Sequence, residues 1–178
     1  ESVAQKVKGV SITRPDDWPQ FRGNSKLTGV STSSLAKFLK LRWTFEAGES
    51  IESSAAIVGG VVYVGSQSGH LLAVSLRDGK EIWRYQATEF GIGESSPCVG
   101  IGLVYIGDLD GVLHAVHVET GRKAWTFRTE GEIKSSPVVI GDRVLIGSYD
   151  SYLYSLDAHS GKLLWKVPTE GYIHTTPS

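Results

Sequence analysis

At four places in this 178-residue chain one ionisable residue stands directly before a pair of small hydroxyl residues. Glu52 precedes Ser53-Ser54, Glu94 precedes Ser95-Ser96, Lys134 precedes Ser135-Ser136 and His174 precedes Thr175-Thr176. Two carboxylates, an ammonium and an imidazole at equivalent positions could bind a polar ligand, an ion or a partner's tail if folding gathers them. The plainer reading is a solvated rim with no ligand.

Other groups that could do chemistry fail against the templates they suggest. Asp108-Leu109-Asp110-Gly111 looks like a calcium loop, but that loop would need an oxygen ligand at Val112 and glycine at Leu113, so a turn is expected. Gly91-Ile92-Gly93 has Ser96 where a dinucleotide fingerprint wants its third glycine. His114 and His117 are three apart, on opposite faces of a strand, and make a poor metal pair. Cys98 is the single cysteine, so no internal disulfide forms; it reads as a small buried hydrophobe with no activating neighbour in sequence. No Gly-x-Ser-x-Gly elbow occurs. These residues assign no catalytic role and no metal site.

The chain that must position the four charged residues is of globular composition, with 40% hydrophobic and 21% charged residues. Eighteen basic against 19 acidic residues leave a formal charge of −1, so no overall pull toward nucleic acid or anionic membrane is expected. No apolar run long enough to span a bilayer and no basic-then-apolar leader occurs. Methionine is absent, so Glu1 is expected to follow processing or excision, with any signal peptide already removed.

Trp43, Trp83, Trp125 and Trp165 are separated by 40, 42 and 40 residues, and the intervening segments align. Each interval carries an apolar run rich in β-branched and aromatic residues, such as Val61-Val62-Tyr63-Val64-Gly65 or Leu103-Val104-Tyr105-Ile106-Gly107. A polar turn follows, then a second run, then Asp78-Gly79, Thr120-Gly121 or Ser160-Gly161, then the tryptophan. Four short strands per unit of about 40 residues predict the blade of a β-propeller. Thr44, Arg84, Thr126 and Lys166 follow the tryptophans where a WD repeat wants aspartate, and the paired glycine of kelch repeats occurs once, at Gly59-Gly60.

The stretches Ala73 to Trp83, Ala115 to Trp125 and Ser155 to Trp165 resemble the tryptophan-docking motif of the pyrroloquinoline-quinone-like (PQQ-like) propeller family. Asp17-Trp18-Pro19-Gln20-Phe21-Arg22-Gly23-Asn24, with Thr28-Gly29-Val30, resembles the stretch that precedes the first blade in bacterial secreted members. The resemblance implies an all-β fold of four-stranded antiparallel blades. The expected organisation is an N-terminal extension over 1–40 and a partial propeller over 41–178. Within the latter an outer strand is expected at 41–47, blades at about 51–86, 92–128 and 133–168, and the start of another at 172–178. That makes about three and a half blades, an incomplete ring that belongs to a propeller of seven or eight. The tryptophans are expected to cover the gaps between blades as docking residues, and the open blade edges could support self-association.

The family includes non-catalytic scaffolds and quinoprotein dehydrogenases. The preferred reading is a non-catalytic exported propeller, periplasmic or extracellular, that presents its rim to protein partners, with no cofactor evident in the sequence. The alternative is a dehydrogenase of alcohols or sugars using PQQ and calcium, with most catalytic residues outside this segment. A third is the extracytoplasmic sensor domain of a membrane kinase. If the hydroxyl pairs begin the innermost strands, as the resemblance implies, Glu52, Glu94, Lys134 and His174 ring the mouth of the central channel.

Overall fold

The computed structural model describes residues 17–34 and 36–177. Residues 1–16 and 35 of the expected extension, and Ser178 of the expected fourth unit, lie outside the described residues. The described chain is all-β, with twelve strands in three four-stranded antiparallel sheets. The first sheet comprises β1 (Ala56–Val58), β2 (Val61–Gly65), β3 (His70–Ser75) and β4 (Glu81–Gln86) in sequential order. β5 (Cys98–Gly100), β6 (Leu103–Gly107), β7 (Val112–His117) and β8 (Lys123–Arg128) repeat it, as do β9 (Val138–Ile140), β10 (Arg143–Gly147), β11 (Tyr152–Asp157) and β12 (Leu163–Pro168). These are three blades of a propeller, with β1, β5 and β9 neighbouring one another as the inner strands.

Register repeats as strictly as sequence. Trp83 pairs with Ala73, Trp125 with Ala115 and Trp165 with Ser155, and each of these ladders shifts register at the next residue. A small residue opposite the indole leaves the ring room, and the irregularity increases the local twist of the blade.

The cores lie between blades rather than inside them. Tyr63, Leu71, Ala73 and Trp83 of the first blade pack against Ile92, Val104, Ile106 and Val116 of the second. Tyr105, Leu113 and Ala115 meet Ile133, Val144, Ile146 and Leu156 in the same way. A strand covered on both faces reads as a continuous apolar run, which is why β6 is buried along its whole length.

Residues 41–47, expected to form an outer strand, join no ladder among the described residues. An outer strand forms only against the third strand of its own blade, and here no such strand lies beside it. Trp43, Phe45 and Ala47 nevertheless pack on Val64, Leu72 and Val74, so the segment covers the first blade as β4 and β8 cover the second and third. At the other end no blade among the described residues packs against β12, and Leu163, Leu164 and Val167 are exposed.

Candidate functional site

Each hydroxyl pair is a fastener that fixes the charged residue before it. The first serine closes its own blade: Ser95 Oγ accepts from the Gly107 N–H at 3.0 Å, and Ser135 Oγ accepts from the Gly147 N–H at 2.9 Å. The second ties blade to blade, since Ser96 Oγ accepts from the Ser54 N–H and Ser136 Oγ from the Ser96 N–H, each at 3.0 Å. The isoleucine just ahead of each of the last three pairs, three residues before the pair at Ile92 and two at Ile133 and Ile173, docks on the preceding blade. Ile92, Ile133 and Ile173 donate their N–H groups to Ser66, Asp108 and Ser148. They lie so close to Gly65, Gly107 and Gly147 that a Cβ at Gly107 would stand 2.2 Å from Ile133 Cγ2.

The charged residue held between isoleucine and serine therefore occupies one place relative to each inner strand. Lys134 Nζ lies 3.9 Å from Glu94 Oε1 and 3.4 Å from Glu132 Oε2, and His174 Nε2 lies 3.7 Å from the same Glu94 oxygen. Three of the four equivalent positions thus meet across three successive units. Glu52 is exposed, and among the described residues no ion pair reaches it. The equivalent position in the next unit is another carboxylate, Glu94.

Aromatic rings complete the cluster. Lys134 Nζ stands 5.1 Å from the centroid of Tyr149, which stacks on the exposed Tyr172 at 5.3 Å and meets the edge of His174 at 6.0 Å. Desolvation works against the charge on Lys134, but Glu94, Glu132 and Tyr149 outweigh it and raise its pKa above the ordinary lysine value. Lys134 is therefore cationic at neutral pH.

The calcium of the dehydrogenase reading does not match the donors at this cluster. The Glu94 and Glu132 carboxylates face Lys134, and no three His, Cys, Asp or Glu side chains converge on one point among the described residues. Calcium asks for six to eight oxygens.

A second polar group was not singled out as such by the spacing. Asp108 Oδ2 lies 2.9 Å from His114 Nε2, and His114 Nδ1 lies 3.1 Å from Tyr85 Oη. The Asp108 Oδ1 atom accepts from the N–H groups of Asp110 and Val112, so Asp108-Leu109-Asp110-Gly111 is a turn. Asp108 and His114 are buried, whereas His117 is exposed. The signal was present: His114 stands at the position of Leu72 and Tyr154 in the neighbouring repeats, a polar group at a packing site. Burial and the Asp108 charge raise the Tyr85 phenol above its ordinary pKa, so Tyr85 stays a neutral partner of the imidazole. Cys98 is fully enclosed, and burial pushes its thiol up to about 12.

The tryptophans complete the frame. Trp43, Trp83 and Trp125 each donate from Nε1 to a carbonyl of the following blade, that of Leu76, Val118 and Ala158 respectively. Trp165, in the unaccompanied β12, is 37% exposed.

Repeated four-stranded sheets with indoles docked on their neighbours define a PQQ-like propeller. The chain belongs to this repeat family, through the family model described as outer membrane protein assembly factor BamB, which matches residues 25–96 and 88–177. It is similar in structure to quinohemoprotein alcohol dehydrogenase from Comamonas testosteroni, with TM-score 0.70 and 25% identity over 85% of this chain and 27% of that one. A europium-containing methanol dehydrogenase gives TM-score 0.76 and 21% identity over 89% of this chain and 33% of its own. BamB from Moraxella catarrhalis gives TM-score 0.62 and 22% identity over 71% of this chain and 39% of its own. The chain thus spans between about a quarter and two fifths of the length of these structures. No curated protein sequence matches it. No helix among the described residues is long and apolar enough to cross a membrane.

Proposed function

We propose that this chain is part of a non-catalytic propeller, exported from a bacterial cytoplasm, that binds protein partners at the mouth formed by Glu94, Lys134 and His174. The segment would sit in a ring of seven or eight blades, with Glu52 as a further member of the rim. One observation carries the reading: three units deliver one carboxylate, one ammonium and one imidazole to a single place, beside the stacked pair Tyr149 and Tyr172. The anchored Lys134 charge and the exposed Tyr172 ring suit a partner's tail, with a polar group to match the first and an apolar one to cover the second. The description of the family model, a factor of outer-membrane protein assembly, supports a place in the cell envelope.

The test is a photo-crosslinker placed at Tyr172 in envelope preparations. A discrete protein adduct that disappears with Lys134→Glu supports the proposal. Absence of any adduct, together with a spectral change and dye-linked alcohol oxidation on adding quinone and calcium, would favour the dehydrogenase reading instead.

A further inference from the structure

The near-balanced charge of the whole chain hides a division between the N-terminal arm and the blades. Residues 18–45 carry five basic side chains and no acidic one, whereas residues 46–178 carry 10 basic against 16 acidic. Arg22, Lys26, Lys37, Lys40 and Arg42 are all exposed, and among the described residues none of them enters an ion pair. Large apolar side chains are interleaved with the last three: Phe38 is 83% exposed, and Leu39 and Leu41 are each 80% exposed. Single exposed hydrophobics are ordinary on a protein surface, but three within four successive residues, set among unpaired cations, form a patch.

The fold anchors this stretch at Trp43, whose Nε1 donates to the Leu76 carbonyl at 3.0 Å and whose ring lies on Gly79 in the β3–β4 turn. The same turn carries Arg77 and Lys80, both exposed, each 3.9 Å from one carboxylate, Asp78. Cations from two separate stretches are thus brought to one side of the first blade. Residues 36–42 join no ladder and make no hydrogen bond among the described residues. Phe38 and Leu39 are successive residues outside any helix, so their side chains diverge, and a flat protein face that covers one leaves the other in water. The headgroup layer of a bilayer has no such register: it takes apolar side chains from every side of a chain and lets the cations beside them reach lipid phosphates. The unpaired positive charge suits anionic headgroups.

We propose that residues 36–42, together with Arg77 and Lys80, form a docking surface for an anionic lipid bilayer. Phe38, Leu39 and Leu41 enter the headgroup layer, and Lys37, Lys40, Arg42, Arg77 and Lys80 face lipid phosphates. Three side chains and a handful of charges give reversible attachment, which holds the first blade at a membrane surface without a spanning segment. The surface is separate from the cluster of Glu94, Lys134 and His174, and the two readings stand or fall independently.

The experiment is sedimentation of the 178-residue chain with vesicles of phosphatidylcholine alone and of phosphatidylcholine mixed with phosphatidylglycerol. The expected result is binding to the mixed vesicles only, weakened by added salt. Lys37→Gln combined with Lys40→Gln should lower the affinity about thirtyfold, at about fivefold for each cation. Phe38→Ser combined with Leu39→Ser should lower it at least about tenfold. Among the described residues these four side chains touch only one another, Lys37 Nζ standing 5.8 Å from the Phe38 centroid, so both double variants should fold as the parent does. No binding, or equal binding to the two kinds of vesicle, would overturn the proposal. Full affinity in the glutamine variant would do so too, by placing the contact elsewhere, as on the exposed face of β12. Full affinity in the serine variant would also overturn it, because cations that act without the apolar side chains would serve an acidic macromolecule instead.

Discussion

The indole Nε1 of Trp83 donates to the carbonyl of Val118 at 2.8 Å, and the same ring lies flat against Gly121 in the turn that follows that strand. One side chain thus joins two blades by a hydrogen bond and by contact. Gly121 has φ +66, and a Cβ there would stand 2.7 Å from Trp83 Cδ2, so both the turn and the ring exclude a side chain. Trp43 on Gly79 and Trp125 on Gly161 repeat the relationship.

Trp83→Ala removes the largest group between the first two blades and should cost about 3–5 kcal/mol. Trp165→Ala in this 178-residue segment should cost much less, because among the described residues its ring is 37% exposed against 9% for Trp83. Urea denaturation of both variants checks the contrast; equal losses would mean that the indoles stabilise their own sheets and not the junctions.

Gly107→Ala should destabilise by about 1–3 kcal/mol through overpacking against Ile133. Combining it with Ile133→Ala should recover part of the loss, giving a negative coupling in a double-mutant cycle. Strict additivity would show that the two residues do not press on one another.

His114→Leu puts the residue of the first blade into the second, but it strands the Asp108 oxygen and the Tyr85 hydroxyl, and should cost about 1–3 kcal/mol. Asp108→Ser and Tyr85→Phe, copying Ser66 and Phe45, should restore most of that when added to His114→Leu. Thermal unfolding of the single and triple variants decides; a triple variant no better than the single would assign the polar chain a value beyond hydrogen-bond satisfaction.

Cys98 should resist alkylation in the native protein at pH 8 and react once the chain unfolds. Its folded pKa is raised, so the protonated thiol is favoured by folding. That contribution is complete below the unfolded value of about 8.5 and is lost as pH rises toward 12. Mass spectrometry after timed alkylation measures the protection. Rapid labelling without unfolding would show that the inner strand opens around Gln20 and Val139.

Much of the architecture was legible because a propeller repeats one local solution. The spacing of Trp83, Trp125 and Trp165, the β-branched runs and the Asp-Gly or Ser-Gly turns each express a contact that recurs in every blade, so periodicity alone reports it. The segment 41–47 shows the limit. Its side chains announce an outer strand, yet a ladder needs a neighbour, and that neighbour is not among its sequence-adjacent residues. The candidate site was legible as a set of equivalent positions and not as a set of contacts. Periodicity identified Glu52, Glu94, Lys134 and His174 alike, but pairing depends on sign and on which side chains the fold brings together, so Glu94 finds Lys134 and His174 while no ion pair among the described residues reaches Glu52.

By itself the order of residues determined the repeat, the strands within it and the glycines on which the indoles rest, because these are short-range demands of backbone and packing. Which charges meet, and that a buried Asp108 and a half-buried Tyr85 hold one imidazole between them, were decided only in three dimensions. Those contacts join residues that lie 6 to 80 places apart in the chain, and their energy depends on burial and direction, which no spacing along the chain encodes.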